Sequence, residues 1–495
     1  MDDNGSALQA ASQEGHLEVV KVLLEHRVDV DAQGGILANA LQATSHRGHL
    51  EVVKLFLENG VDVNSKGYDG NALYAASEGG HLEVVKVLLE HRADVNAHGE
   101  YYGNPLQAAS HGGHLEVIKA ASHGGHLEIV KILLENRADV NTCGGFYGNA
   151  LQAASHGGHL EVIKVLLENG VDIHAKGGVY GNALQAASYG GHFEVVRVLL
   201  ENGVDVHAQG GIYGNALQAA SHGGHLEVVK VFLESRADVN TQGGDYGNAL
   251  QAASNGGHLK VVEVLLENSA DVHAEGGIYG NALQAASHGG HLEVVKVLLE
   301  SRADVNAQGG DYGNALQAAS NGGHLEVVEV LLENRADVNA QGGDYGNALQ
   351  AASHRGHLEV VKVLLENRAD VNAQGGDYGN ALRAASSGGH SEVVKVLLEN
   401  RADVNAQGRD YGNALQAASS GGHLEVVKVL LEHRADVNAQ GGDYGSALQA
   451  ASALGHPEIV TILLENGADN IEDESMDMYD SSDESTDMYD SSDEF

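Results

Sequence analysis

The chain is poor in thiols, in cations and in long apolar runs. One cysteine, Cys143, stands in 495 residues. A single thiol cannot close an internal disulfide, so nothing marks a disulfide framework of the secreted type. Lysine and arginine number 28 against 69 acidic side chains, a formal net charge of −41. Phosphate backbones and anionic bilayers repel such a chain, which argues against nucleic acid or membrane as its partner. No apolar stretch reaches the roughly 20 residues that span a bilayer. The first residues, MDDNGSALQA, are neither a signal nor a transit peptide. A cytoplasmic or nuclear location is expected. No GxxxxGK[ST] loop occurs, so a P-loop nucleotide site has no support, and the glycine-rich stretches lack the short period of calcium-binding nonapeptides.

What is present is one unit written many times. Tyr312 to Asp344 reads YGNALQAASNGGHLEVVEVLLENRADVNAQGGD, and a Gly-His pair marks each copy. From His126 to His456 those histidines recur every 33 residues, the signature of a stacked-repeat solenoid. Asn314 can cap a short helix whose body is Ala315, Leu316, Ala318 and Ala319, and Gly322-Gly323 stop it. A second helix from about His324 places Leu325, Val328, Leu331 and Leu332 on one face, widened by Val327 and Val330, with Glu326, Glu329 and Glu333 opposite. The chain then turns on Gly342-Gly343. Helices of at most about three turns are marginal alone, so a unit must stack on its neighbours. In the connectors Gly34, Gly99, Gly144, Gly309 and Gly408 hold the first glycine place, whereas Glu100 and Arg409 stand in the second. The first glycine is therefore expected to be conformationally required and the second not.

Gly290 through Glu300, GHLEVVKVLLE, followed by Ala303-Asp304-Val305-Asn306-Ala307, resembles the ankyrin repeat, whose second helix commonly reads GHLEVVKLLLE before GADVNA. The likeness covers about residues 5 to 470. It implies an all-α ankyrin-repeat solenoid of about 14 helix-turn-helix units with hairpin-like connectors. It also implies that connector tips and short-helix faces line a concave binding surface. The family's Thr-Pro-Leu-His becomes Asn-Ala-Leu-Gln here, as at Asn347-Ala348-Leu349-Gln350, and only Pro105 restores the proline. Asparagine thus replaces threonine as cap, and the histidine's hydrogen bonds must be made differently or lost. The YGNALQAAS form resembles the ankyrin arrays of large fungal NACHT-type NTPases.

Four segments follow: repeats over 1–104, an irregular unit over 105–136, repeats over 137–470 and an acidic tail over 471–495. The step from His49 to His81 is 32, with the loss near Gly67-Tyr68-Asp69. In the irregular unit AASHGGHLEVIK (Ala108–Lys119) is followed directly by AASHGGHLEIVK (Ala120–Lys131). One extra helix docked in an antiparallel stack would reverse every later unit. The stack is therefore expected to stay in register while the extra segment bulges around His111 to Gly125, with Leu115–Ser122 a loosely attached turn. Pro105–Ser110 would then pair with Leu127–Asn136. The tail repeats itself from Asp473 and Asp483 and holds eleven acidic residues and no basic one. It is expected to be disordered and removable without loosening the array.

The unit offers little that resembles catalysis. His-Gly-Gly-His, as at His288/His291, supplies too few ligands for zinc, and Asn255, Asn321 and Ser420 replace its first member. These histidines read as helix-start side chains bonding turn backbone. Glu293, Lys296 and Glu300 form a solvated charge ladder, and no nucleophile, base and orienting group stand out. No enzyme activity, cofactor or small-molecule substrate is expected. The tyrosine ladder (Tyr147, Tyr180, Tyr213, Tyr246 and onward) reads as packing between connectors.

Differences among the copies mark positions the fold does not dictate. The residue before the ladder tyrosine is Phe146, Val179, Ile212 or Ile278 in some units and Asp245, Asp311, Asp344, Asp377, Asp410 or Asp443 in others. The short-helix glutamine becomes Tyr74 and Arg383, the turn residue becomes Tyr189, and Arg409 enters a connector. Tyr74, Phe146, Val179, Tyr189, Ile212, Ile278, Arg383 and Arg409 are the candidate partner-binding residues; the alternative is drift among recent duplicates. The expected function is a non-enzymatic scaffold for an unknown protein partner. One alternative is a regulatory protein acting through the tail, where Met476, Met478, Tyr479, Met488, Tyr489 and Phe495 stand among acids. There Ser481 and Ser491, each with glutamate three residues on, suit an acid-directed kinase. Another is the detached repeat portion of a NACHT-type protein.

Overall fold

The computed structural model describes residues 3–25, 40–66, 70–99, 103–111, 126–408 and 412–469. Among them 28 α-helices alternate as the first and second helix of successive units, with no strand. The expected all-helical solenoid is what the chain forms.

One unit shows why. The short helix Ala315–Gly322 begins where the Asn314 side chain accepts a hydrogen bond from the Gln317 amide at 2.9 Å, a cap worth about 1 kcal/mol. It ends on Gly323 at φ 72°, a conformation glycine adopts without a Cβ penalty. Residues Ala315 through Asn321 are all buried, because the alanines let successive short helices pack directly on one another. The long helix Leu325–Glu333 buries Val327, Val328 and Leu331, while Leu325, Val330 and Leu332 are half-buried against the same core. The buried face is thus centred on Val327, Val328 and Leu331, and Leu325 and Leu332 lie on its flanks. A helix held between two neighbours has two contact edges, and the valines sit where these meet. Glu326, Glu329 and Glu333 are exposed, as expected. The two prolines fall at helix starts, Pro105 in Pro105–His111 and Pro457 in Pro457–Glu465, where no N–H is needed.

The stack keeps its register across the duplication. Helix Pro105–His111 pairs with Leu127–Glu135, and the His126 amide reaches the Ala109 carbonyl at 3.4 Å, as His159 reaches Ala154 at 2.9 Å in the next unit. The imidazoles agree. His126 Nε2 lies 3.1 Å from the Glu78 carbonyl oxygen and His159 Nε2 lies 3.2 Å from that of His111. Regular units make the same contact, as His192 does to His156 at 2.7 Å. Residues 112–125, and with them the turn expected at Leu115–Ser122, lie outside the described residues, as do 67–69 and the tail from 470.

The expectation about the connector glycines is reversed at Gly309-Gly310, whereas the first glycine of other connectors, such as Gly144 at φ 153° and Gly276 at φ 149°, is at positive φ as well as the second. Gly310 has φ 62°, and a Cβ there would sit 2.5 Å from the Tyr279 carbonyl carbon and 2.6 Å from the Gly280 nitrogen. Gly309 is not among the positive-φ residues, and its Cβ would meet only the Gly280 Cα at 3.6 Å. The second glycine is here the more constrained one because the preceding connector's backbone crosses over it. Glu100 and Arg409, the residues that suggested otherwise, lie outside the described residues.

Two outcomes are expected. Gly310→Val lowers the urea midpoint more than Gly309→Val, by on the order of 1–2 kcal/mol from the left-handed backbone alone; equal midpoints would contradict this. Deleting Ala108–Lys119 restores a 33-residue step between His81 and His126. The shorter closure between the paired helices should raise stability by about 1–2 kcal/mol, read as an unchanged or higher thermal midpoint; a lowered midpoint would show that the extra residues support the stack.

Candidate interaction surface

The surface is assembled from the connectors. Each closes as a narrow turn, for example through the Gly177 amide on the Gly181 carbonyl at 2.9 Å. A side chain from the preceding unit holds it there. Gln152 Nε2 donates to the carbonyls of Gly177 at 2.9 Å and Gly181 at 3.1 Å, and Gln284 does the same to Gly309 at 3.0 Å and Gly313 at 2.8 Å. Gln42, at the same place early in the chain, bonds the Gly70 carbonyl. The bonds of the family's tetrad histidine are therefore made differently, not lost.

Neighbouring connector tips are also joined to each other. Val179 N donates to Phe146 O at 2.9 Å, Ile212 to Val179 at 3.0 Å, Asp245 to Ile212 at 2.9 Å and Ile278 to Asp245 at 2.9 Å. The series continues through Asp311, Asp344 and Asp377 at 3.1, 3.2 and 2.9 Å. One backbone-bonded lane thus runs over eight units, with one variable side chain per unit.

Beneath it lies an aromatic column. Tyr147, Tyr180, Tyr213 and Tyr246 follow one another at 6.1, 6.2 and 5.7 Å between ring centroids, with planes within 15° of parallel. Residues from the ends of the short helices fill the steps. Tyr189 lies 5.4 Å from Tyr180 and 4.9 Å from Tyr213, and His222 lies 5.2 Å from Tyr213 and 4.4 Å from Tyr246. Tyr147 shares a hydrogen bond between its hydroxyl and His111 Nε2. The ladder is packing, as its recurrence implied, and Tyr147, Tyr180 and Tyr213 are buried.

The candidate residues divide. Phe146, Val179 and Ile212 are half-buried on the tip lane, and Ile278 is 42 % exposed there. Tyr189 is half-buried in the column. Tyr74 and Arg383 are corrections: they are 2 % and 1 % exposed and cannot meet a partner in the folded array. Both occupy the glutamine slot, which faces the connectors and not solvent. Arg383 Nη1 donates to the Asp377 carbonyl at 3.3 Å, and the Tyr74 ring lies under Gly70. Arg409 falls outside the described residues, as do Ser481 and Ser491.

Charge is distributed unequally over the two faces. On the long helices Glu and Lys pair at i,i+3, as Glu293 with Lys296 at 2.7 Å. On the tip lane Asp311, Asp344 and Asp377 have no ion pair among the described residues. Partial burial, then the neighbouring Asp377 and Asp311 carboxylates, raise the Asp344 carboxyl above its ordinary range. From His49 on, each helix-start imidazole spends Nε2 on a carbonyl of the unit before, as His291 on Asn255 at 2.7 Å. Among the described residues no three His, Cys, Asp or Glu side chains converge as a metal site, and no helix is long and apolar enough to cross a membrane.

The imidazoles make the array acid-sensitive. Burial pulls His156, His222 and His354 down to about 4, and neighbouring cationic groups add to this. Burial likewise lowers His81, His126, His159, His192, His258 and His357, although each gains something back from its backbone bond. The unfolded chain therefore binds protons near pH 6.5 that the folded chain takes up only at lower pH. These histidines' contribution to stability is present above pH 6.5 and is lost as pH falls toward 4. Thermal midpoints should drop across that window, and His156→Asn, His222→Asn and His354→Asn together should flatten the drop while leaving the midpoint at pH 7.5 nearly unchanged. Asparagine already serves there at Asn255 and Asn321. A parallel pH profile for the triple variant would contradict the assignment.

Comparison with known proteins agrees with the geometry. The family model for ankyrin repeats, in three copies, matches residues 1–67, 40–120, 118–210, 212–276, 282–375, 315–408 and 381–473. No curated protein matches. Among solved structures the chain is similar to the crystal structure of the human ASB11 ankyrin repeat domain, at 26 % identity over 45 % of this chain and 99 % of that one, with a TM-score of 0.40. With the family model spanning nearly the whole array, the chain belongs to the ankyrin repeat family.

Proposed function

We propose that this array is a scaffold that binds one protein partner along the face made by its connector tips and the aromatic column. Ankyrin repeats are in general protein-interaction modules, and the fold is typically a non-enzymatic one. The observation that carries the reading is where the copies differ. Beneath the tips the units repeat the same buried alanines, leucines and asparagine caps and the same helix-start histidines. At the tips, where the backbone is locked and no backbone bond depends on the side chain, phenylalanine, valine, isoleucine and aspartate alternate. A position that packing does not dictate and solvent can reach is where a recognition surface is written. The setting is the cytosol or the nucleus, where a single exposed thiol such as Cys143 stays reduced.

The test places a photo-crosslinking amino acid at Ile278 on the tip lane and, separately, at Lys296 on the long-helix face, and exposes both proteins to extract from the source cells. A discrete protein adduct from position 278 and none from position 296 is the expected result. Adducts from position 296 alone would move the site to the other face, and none from either would remove the scaffold reading.

A further inference from the structure

The lane changes character along the stack. Phe146, Val179 and Ile212 occupy three consecutive tips at one end, and Asp311, Asp344 and Asp377 three consecutive tips at the other, with Asp245 and Ile278 between. Phe146 and Ile212 pack with Tyr147, Tyr180, Tyr189 and Tyr213 in an apolar cluster, and Val179 is the half-buried tip between them. The last three are exposed and flank one another without a lysine or arginine ion pair among the described residues. Such a row of like charges is destabilising by itself, and a cationic partner would relieve it.

The backbone of the lane narrows what can dock. From Val179 to Asp377 each tip amide is already bonded to the carbonyl of the tip before it. No row of unpaired groups remains for an added strand, so recognition falls to side chains. A helix suits such a surface because it satisfies its own backbone. Its spacing also fits. The rings beneath the lane advance 6.1 and 6.2 Å per unit at Tyr147–Tyr180 and Tyr180–Tyr213. Four residues of α-helix rise about 6 Å and turn about 40° past one full turn, so side chains at i, i+4 and i+8 meet three successive tips, and a second set of three needs its own starting register.

We propose that the partner presents an amphipathic helix of two parts, with aliphatic or aromatic side chains at four-residue spacing over Phe146, Val179 and Ile212, and lysine or arginine at the same spacing over Asp311, Asp344 and Asp377. This rests on the tip-face reading above and gives it a chemistry and a direction. The apolar part supplies the anchor. The basic part fixes which way the helix lies and selects against acidic or neutral segments. Arg383 is buried beneath the end of the aspartate row, with Nη1 3.3 Å from the Asp377 carbonyl.

The probe is a phage-displayed library of random segments of roughly 30 residues, long enough as a helix to follow the eight bonded tips, selected on the full chain. Three variants carry the test: Phe146→Ser/Val179→Ser/Ile212→Ser, Asp311→Lys/Asp344→Lys/Asp377→Lys, and the milder Asp311→Asn/Asp344→Asn/Asp377→Asn. Thermal midpoints establish that each is folded, and the asparagine set keeps the test usable if the lysine set is not. The expected result is enrichment of segments with an apolar half and a lysine- or arginine-bearing half at four-residue spacing. Their binding should weaken about tenfold or more in the serine and lysine sets, less in the asparagine set, and fall with added salt through the basic half. Segments that bind the full chain but ignore all three variants would overturn this proposal and leave a scaffold with a different face. Segments without the basic half, insensitive to salt, would overturn the two-part helix while leaving the tips as the site. A library that yields no binder would overturn this proposal and the scaffold reading together.

Discussion

Most connectors are held by a glutamine amide that belongs to the unit before, with Tyr74 and Arg383 in its place in two units, and most of the architecture depends on that bond. Asn281 caps its short helix by accepting from the Gln284 amide at 2.9 Å, which fixes where the Gln284 side chain begins. Its Nε2 then donates to the Gly309 and Gly313 carbonyls that bound the next turn. The turn fixes the tip, and the tip bonds its neighbour. A buried amide left without this partner would cost on the order of 1–3 kcal/mol, so neither the helix nor the connector is complete without the other. This makes the 33-residue unit a piece of a stack and not a domain.

The second tie between units is made by the helix-start histidine, and it explains the double glycine ahead of it. His324 Nε2 reaches the His288 carbonyl at 2.8 Å, and its ring lies against Gly290 so closely that a Cβ there would come within 2.3 Å of Nδ1. One glycine therefore does two things: at φ 69° it ends its own short helix, and its bare Cα makes room for the next unit's imidazole. The exposed Glu–Lys pairs of the long helices add little, since surface pairs are worth only about 0–1 kcal/mol. Cohesion comes from buried alanine and valine and from these two side-chain bonds, and it holds against a formal net charge of −41.

Much of this was legible in the residues. The histidine period predicted the solenoid, Asn314 its cap, Gly323 the helix end, and antiparallel parity the in-register pairing of Pro105–His111 with Leu127–Glu135. The tyrosine column followed from recurrence alone. What was not legible concerns atoms of the adjacent unit. Counting replacements ranked Gly309 above Gly310, but the constraint on Gly310 comes from the backbone of Tyr279 and Gly280, about one repeat earlier in the chain. Tyr74 and Arg383 differ from their counterparts and so look like surface variation, yet the slot they fill points inward. A single sequence shows that a position varies; it does not show which way the side chain faces. In a repeat protein the two are easily confused, because a buried pin can be replaced wherever the neighbouring connector can adjust to it.

The same division accounts for how one fold can present a graded surface. Substitution in the buried layer has to preserve a bond to the next unit, and only glutamine, tyrosine and arginine are found there among the described units. Substitution at a tip disturbs no such bond, because the tip's amide and carbonyl, not its side chain, join it to its neighbours. Phe146 and Asp377 can therefore stand at equivalent places over the same hydrogen-bond chain. Each copied unit arrives with its stacking contacts already made and its tip free to change. Duplication then lengthens the surface and single substitutions set its chemistry, unit by unit, at little cost to the stack beneath.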